Sequence, residues 1–335
     1  MAQTRIFYAT QAVEIDGNVM HGVQSVGLDT TFNLEQAFEL GQLSLYENIE
    51  GIPDISMTIQ KVLDGYPTLW HCSTSKDTEG NTVTANTLTA RGDTKIPSVK
   101  LYINETADAM FSGDNSIKTV NCSGMYISSC SYTIPTDGNC TEDVTLVGND
   151  KTWGAGSSGP NFGTLSDLDT PIFVGGDSKK HVIRGEDVVI ASCKVPDSIP
   201  GVGTISNNSG PINTGVHIQN FNCSVDLGRE QINELGTRIP YSRYVNFPVE
   251  VTSSFEVIAL EGDLVDADST ARTNLDDHEI KMVVGDLTID LGTKNKLQSV
   301  SYGGGDAGGG NVTNTFNYSN FNDFIITHSG DPAGL

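Results

Sequence analysis

Basic residues are scarce in this 335-residue chain: 19 Lys and Arg stand against 42 Asp and Glu, for a net charge of −23. A protein that grips nucleic acid through its phosphates needs the opposite sign, so that class is excluded. Tryptophan occurs twice and aromatics make up only 7% of the chain, which leaves few of the ring platforms a sugar-binding module presents. No window approaches the ~18 continuous apolar residues of a membrane helix. The first fifteen residues also lack the basic start and apolar stretch of a secretory signal. The expectation is a soluble protein made in a cytosol, with no membrane span. Six cysteines (Cys72, Cys122, Cys130, Cys140, Cys193, Cys223) are spaced too widely for a small disulfide scaffold and are expected as reduced thiols. The Asn-x-Ser/Thr triplets at Asn104, Asn121, Asn139, Asn222 and Asn311 then read as chance products of an Asn/Thr/Ser-rich chain.

Familiar catalytic patterns are missing as well. No G-x-x-x-x-G-K-S/T, G-x-S-x-G or H-E-x-x-H occurs, and His21, His71, His181, His217, His278 and His328 are scattered. The run from Gly303 to Gly308 spells G-x-G-x-x-G, but strand-like residues 311–316 follow it where a dinucleotide site needs a helix, so it reads as a hairpin turn. The acidic stretch Asp263, Asp266, Asp268, Asp276, Asp277 and Glu279 lacks the loop glycine and closing Glu of a calcium loop and reads as a solvated face. Arg91-Gly92-Asp93 reads as a loop coincidence. The expectation is a protein that is not an enzyme and holds no cofactor or metal.

What is present is glycine (36 residues) with abundant Thr, Asn, Ser and Val, and 37% hydrophobic residues, enough to bury a sizeable core. That composition predicts an all-β protein with minor α content. At a constant offset of 195 residues, Glu35, Gln36, Glu39, Leu40, Gly41, Tyr46 and Pro53 recur as Glu230, Gln231, Glu234, Leu235, Gly236, Tyr241 and Pro248. Upstream, Val26, Leu28, Thr30, Phe32 and Leu34 alternate with polar residues, and Phe221, Cys223, Val225 and Leu227 do so in the same phase. In-phase period-two alternation predicts one strand in two copies, one face in a core and one in water. The wet face carries Asp29, Thr31 and Asn33 in the first copy and Asn222, Ser224 and Asp226 in the second. After the prolines the phase slips by one residue, which requires a bulge or loop difference. A second anchor sets Ser129-Cys130-Ser131-Tyr132 against Ser299-Val300-Ser301-Tyr302.

These observations predict an N-terminal arm over residues 1–20 and a first antiparallel β-sandwich over 21–155, with an inserted hairpin at 73–94. A structured connector follows over 156–210, then a second sandwich over 211–328 and a tail over 329–335. The connector includes strand-like segments at 181–183 and 188–191. Short helices are predicted at 230–235 and 269–275.

The runs Leu40-Gly41-Gln42-Leu43-Ser44-Leu45-Tyr46 and Ile52-Pro53-Asp54-Ile55-Ser56-Met57-Thr58, with the closing segment 297–323 and its glycine-rich turn, resemble the major tail tube proteins of tailed bacteriophages. The resemblance covers the two repeat cores. It implies sandwiches whose strands join those of neighbours into a continuous inner barrel, in rings that stack into a tube through which the genome passes. Such proteins mostly carry one sandwich per chain in sixfold rings; two per chain imply a homotrimeric, pseudo-sixfold ring. The implied setting is a virion tail assembled in the host cytoplasm, with other tail proteins as partners and DNA passing through the lumen without specific binding. The wet-face residues are then candidates for the lumen, where like charge keeps DNA from adhering. Two alternatives stay open: another β-rich virion component, such as a capsid decoration or baseplate protein, and a carbohydrate-binding or adhesin-like sandwich.

Overall fold

A computed structural model describes residues 5–64, 68–70, 88, 96–105, 117–156, 182–188, 190–200, 217–237, 239–260, 262–265, 276–285, 287–305 and 310–328. The expected hairpin at 73–94 apart from Leu88, the Arg-Gly-Asp triplet, the helix at 269–275, Cys72 and the tail at 329–335 lie outside the described residues. So do parts of the connector, of the acidic stretch and of the glycine-rich turn.

The described chain is built from strands, in order β1 (Gln11–Ile15), β2 (Asn18–Val19), β3 (Val23–Thr31), β4 (Leu34–Phe38), β5 (Leu45–Glu50), β6 (Asp54–Val62), β7 (Ile96–Asn104), β8 (Ile117–Pro135), β9 (Thr141–Gly148) and β10 (Asp150–Gly156). After the connector come β11 (Ile218–Asp226), β12 (Glu230–Ile232), β13 (Ser242–Tyr244), β14 (Glu250–Ile258), β15 (Lys281–Val284), β16 (Leu287–Asp290), β17 (Lys296–Gly304), β18 (Val312–Phe321) and β19 (Ile325–His328). The fold is all-β and antiparallel throughout.

Strand β8 organises it. Its first half pairs with β7 on one side and β10 on the other. Its second half pairs with β9 and β11. One layer is therefore an eight-strand sheet in the order β3-β6-β9-β8-β11-β14-β18-β17, and β10-β8-β7-β1-β2 and β15-β16-β19 form the second layer. Alternation drives the packing: β9 buries every second residue, and Met57, Ile59, Val144, Tyr132, Phe221, Phe255 and Phe316 fill one contiguous core.

The eight-strand layer reads as one four-strand order written twice, β3-β6-β9-β8 and then β11-β14-β18-β17. The registers agree in detail. Val26 pairs with Ile59 and Phe221 with Phe255; Ile59 pairs with Val144 and Phe255 with Phe316; Cys130 pairs with Val144 and Val300 with Phe316. The register shift between Val23 and Ser25 recurs between Ile218 and Asn220, and that between Ile127 and Ser129 recurs between Leu297 and Ser299. The second layer follows suit, with Ile117 opposite Gly156 as Leu287 is opposite His328. Strand β6 starts at Asp54 and β14 at Glu250, one residue off the 195 offset, which is the slip expected after the prolines.

Three expectations are corrected. Within the expected arm, residues 11–15 do not stand off, because β1 adds to β7 across five residue pairs. Residues 230–235 are not a helix: Glu230, Gln231 and Ile232 pair with Tyr244, Arg243 and Ser242, and this cross-strand ladder overrides a helical local preference. Phe32 and Leu34 do not continue the buried alternation of β3. The strand ends at Thr31, and both side chains are exposed.

The connector is tied down where it is described. Cys140 and Ile183 donate backbone N–H groups to Ile183 and Leu63, and Val188 and Lys194 bridge to β15 at Val284 and Lys281. Those bridges flank β15 as β1 flanks β7. Across the middle of the molecule, Phe324 packs edge-on against Trp70 at 5.1 Å between ring centres and lies 6.4 Å from Tyr132. The fully buried Glu142 accepts from the backbone N–H groups of Leu69 (2.6 Å) and Trp70 (2.9 Å) and from Tyr132 Oη (2.7 Å). Burial pushes its carboxyl above the usual range despite those three donors.

Candidate assembly surfaces

The seam between the two four-strand sets is the first surface to consider, because it shows how such sets join. Strands β8 and β11 pair over seven residues, from Pro135 opposite Asn220 to Ser129 opposite Asp226. The ladder extends at both ends through Leu227 N–H to Ser128 O (2.8 Å) and Thr136 N–H to Gln219 O (2.8 Å). On its core side Cys130, Tyr132, Ile134, Phe221, Cys223 and Val225 are all buried. Each large apolar side chain covered in this way stabilises the seam by about 1.5–3 kcal/mol.

The two ends of the same sheet are open. Among the described residues, β3 pairs only with β6 and β17 only with β18, so each has one unpaired edge. These are the strands that correspond to β11 and β8. Their core-side residues are accordingly half-uncovered: Val26 and Leu28 on β3 and Val300 on β17 are only partly buried. Tyr302 holds the position of Tyr132, yet it is 59% exposed where Tyr132 is fully buried. Phe32 holds the position of Leu227 and is 70% exposed against 2%. An edge of this length with apolar residues beside it is a pairing template that a lone chain must blunt. Neither β3 nor β17 has a proline, and no Lys or Arg stands on β3.

The recurring sequence signature lies elsewhere, on two hairpins. Strands β4 and β5 pair Glu35 with Ile49 and Gln36 with Asn48; β12 and β13 pair Glu230 with Tyr244 and Gln231 with Arg243. Gly41 and Gly236 near the tips have φ of +94° and +88°, and a Cβ on either would touch nothing. Backbone conformation, not space, calls for glycine at both places. Leu40, Leu43 and Leu235 project fully into solvent, with Phe38, Tyr46, Ile239 and Tyr241 also exposed. Glu35, Gln36, Glu39, Leu40, Gly41 and Tyr46 are all exposed, as are Glu230, Glu234, Leu235, Gly236, Tyr241 and Pro248; Gln231 and Pro53 are half-buried. The identity between copies is thus concentrated where folding of the single chain does not require it.

The second hairpin is seated and the first is not. Arg243 reaches Asp54 Oδ1 at 2.9 Å, Asn149 Oδ1 at 3.0 Å and Gln231 Oε1 at 2.8 Å. Arg229 donates to Ile127 O at 2.6 Å and lies over the Tyr126 ring. The positions of Arg229 and Arg243 are held in the first copy by Leu34 and Asn48.

The wet face of the eight-strand sheet carries Asp29 and Thr31 on β3 and Ser224 and Asp226 on β11, all exposed, with Asn222 half-buried. Asn33 lies beyond the end of β3, where its amide donates to Ile52 O (2.7 Å) and Asp54 Oδ2 (3.1 Å) and closes the base of the first hairpin. Across the middle strands this face is hollowed into a depression of about 450 Å³ lined by Ser131, Thr133, Asn222, Ser224, Thr252 and Asn317 among others. Asp143, Glu250 and Glu256 stand on the same side of the ladder.

Among the described residues no group of three or more His, Cys, Asp or Glu could hold a metal ion, and no helix is long and apolar enough to cross a membrane. Cys122, Cys130, Cys140 and Cys223 are free and buried, and Cys193 is buried with Val283 N–H donating to its sulfur. Sequence reasoning read the Tyr132 and Tyr302 anchors as a repeat but missed that one is an inner strand and the other an edge. It also missed the Arg229 and Arg243 clamp. The signal for the former was available: the 195 offset puts Phe32 on Leu227, an apolar residue kept at a position the first copy leaves bare.

No family model matches the chain, and no curated protein matches it. Among solved structures it is similar to the cap that terminates the tube of the anti-feeding prophage, with a TM-score of 0.33 and 13% identity over 47% of this chain and 95% of that one. It is similar also to the sheath/tube terminator of the PVC extracellular contractile injection system in its extended state, with a TM-score of 0.33 and 14% identity over 46% of this chain and 100% of that one. The extended PVC sheath-tube complex gives a TM-score of 0.32 and 14% identity over 45% of this chain and 93% of that one.

Proposed function

We propose that this chain is a structural subunit of a phage-type tail tube, built from a duplicated sandwich, and that three copies close into a ring whose rings stack into a conduit. The observation that carries the reading is the pair of open edges. One chain presents β3 at one end of its sheet and β17 at the other, and the strands that correspond to them, β11 and β8, are already joined inside it. A surface that fits a different surface on the next copy makes a heterologous contact, which generates either a closed ring or an open filament. The inner seam fixes the turn between successive sandwiches, so repetition of that turn determines which.

The remaining features fit the same role. Ring closure removes both edges at once. The apolar hairpin tips that stay exposed after closure supply contacts from ring to ring. The acidic and uncharged-polar residues of the hollow wet face suit a wall that DNA passes without adhering, because Asp29, Asp143, Asp226, Glu250 and Glu256 repel the phosphates. In this reading the protein has no enzymatic role, and its partners are further copies of itself and other tail proteins. If single-sandwich relatives close with six, two sandwiches per chain fill the same circle with three.

Electron microscopy of the purified full-length protein tests the proposal. Stacked rings whose end-on averages show threefold symmetry with six similar lobes are expected. A protein that stays monomeric at every concentration overturns the tube reading, and six full chains per ring overturn the trimer.

A further inference from the structure

We infer that the seam between neighbouring chains repeats the inner seam residue for residue. This rests on the tube reading above and specifies the partner edge: β17 of one copy lies antiparallel to β3 of the next, with Ser299 opposite Thr31, Ser301 opposite Asp29 and Tyr302 opposite Leu28. The register follows from two facts on the same sheet. Ser129, Ser131 and Tyr132 stand opposite Asp226, Ser224 and Cys223. The positional equivalence of β8 with β17 and of β11 with β3 is fixed independently, by matching pairings and matching register shifts against β9, β18, β6 and β14.

A slip of one residue is excluded by period two, since it would turn Tyr302 and Leu28 to opposite faces. A slip of two leaves Phe32 without the place that Leu227 occupies. In the inferred register the Phe32 N–H donates to Gln298 O of the neighbour, as Leu227 does to Ser128. The exposed ring of Phe32 and the exposed side of Tyr302 are then covered as Leu227 and Tyr132 are.

The same superposition brings two charges together. In the inner seam Ser242 Oγ lies 3.3 Å from Tyr126 Oη. Glu47 occupies the place of Ser242, since it pairs with Ala37 as Ser242 pairs with Ile232. Lys296 occupies the place of Tyr126, since it pairs with Ser319 as Tyr126 pairs with Val147. Glu47 of one chain therefore faces Lys296 of the next, opposite in sign where the inner seam has two hydroxyls. Within its own chain Lys296 meets Asp277 at 2.8 Å, and its side chain is 54% exposed.

Cysteine pairs read the register directly. Asp29 and Ser301 correspond to Ser224 and Ser131, a pair that does not exchange backbone hydrogen bonds and so has the short Cα separation a disulfide needs. The Asp29→Cys/Ser301→Cys protein, oxidised after assembly, should run on denaturing gels as covalent multimers that end at the ring size. Each single variant and the Ser25→Cys/Ser301→Cys pair, four residues out of register, should stay monomeric. The Ser131→Cys/Ser224→Cys protein is the internal standard and should oxidise without a change of size. Cross-linking in the offset pair but not the aligned one overturns the register while leaving the tube reading intact. Rings in the microscope with no cross-link in either pair do the same, whereas a protein that neither forms rings nor cross-links overturns both. As a second arm on uncross-linked protein, Glu47→Lys and Lys296→Glu should each raise the concentration needed for ring formation by about tenfold, and the double exchange should restore it. Failure of the double exchange to restore assembly refutes the apposition of these two charges.

Discussion

Arg243 Nη2 stands 2.9 Å from Asp54 Oδ1 across a sequence separation of 189 residues, so the base of the second hairpin is fastened to the first strand set. Arg243 is itself largely buried, and it also holds Asn149 and Gln231. Replacing it with Ala removes the buried guanidinium that bridges Asp54, Asn149 and Gln231, although Asp54 itself is half-exposed and can be rehydrated. Arg243→Ala should lower stability by about 1–3 kcal/mol, seen as an earlier urea midpoint with an unchanged slope. An unchanged midpoint would mean that the clamp only orients the hairpin.

The buried Glu142 gives a pH dependence of definite sign. Its folded carboxyl titrates above the ordinary glutamate value because burial outweighs its three donors. The folded state therefore keeps a proton that the unfolded chain has released, and stability falls as pH rises from the ordinary value toward the folded one. Between about pH 4 and 7 the urea midpoint of the parent protein should decline more than that of Glu142→Gln, which cannot ionise. Parallel profiles for the two proteins would show that Glu142 is not the group responsible.

Burial pushes the thiols of Cys122 to about 11 and of Cys140 and Cys223 to about 12, and raises Cys130 and Cys193 as well. The thiolate is the reactive form, so these five should resist a disulfide reagent at pH 8 until urea is added. Measured on Cys72→Ser protein, the native count should be near zero and the denatured count five. Prompt native labelling of any of them would contradict the packing around that cysteine.

If the wet face lines a lumen as proposed, two charge reversals should make it hold DNA. Asp29→Lys/Asp226→Lys tubes should retain duplex DNA at low salt and lose it steeply as salt rises, while parent tubes retain none at any salt. Equal retention by both would place those two carboxylates away from the DNA path.

Much of this arrangement was legible before any coordinates. The alternation of Val26 and Leu28 with Gly27 and Asp29, and of Phe221 and Cys223 with Asn222 and Ser224, marked β3 and β11, and the one-residue slip after Pro53 and Pro248 appears as the start of β6 and β14. Phe32 was misassigned to the core for a physical reason. An exposed ring just past a strand's end keeps the same phase in the sequence as a buried one, and only the coordinates show that β3 ends at Thr31. The segment Glu230-Gln231-Ile232 was misread as helical because its partners Ser242–Tyr244 lie beyond the window in which local propensity acts. The arginine clamp left no trace because its acceptors, Asp54 and Asn149, stand in the other half of the sequence.

Strand β8 runs unbroken for nineteen residues through both layers of the first sandwich, whereas its counterpart is divided into β16 and β17 by residues 291–295. The division is pinned by the amide of Asn295, which donates to Leu291 O and His278 O, and by Asn320, which donates to Leu291 O and Asn295 Oδ1. Bending the first sandwich must curve a continuous, laddered strand; bending the second can swing two short strands about a joint held by backbone pairs of Ile280 with Leu291 and Gly292 and of His278 with Asn295, and by the amides of Asn295 and Asn320. The two halves therefore differ in stiffness even where their registers agree. In the proposed ring of three such chains these joints would recur at every second sandwich, and a tube under bending or torsion would yield along three lines, not six.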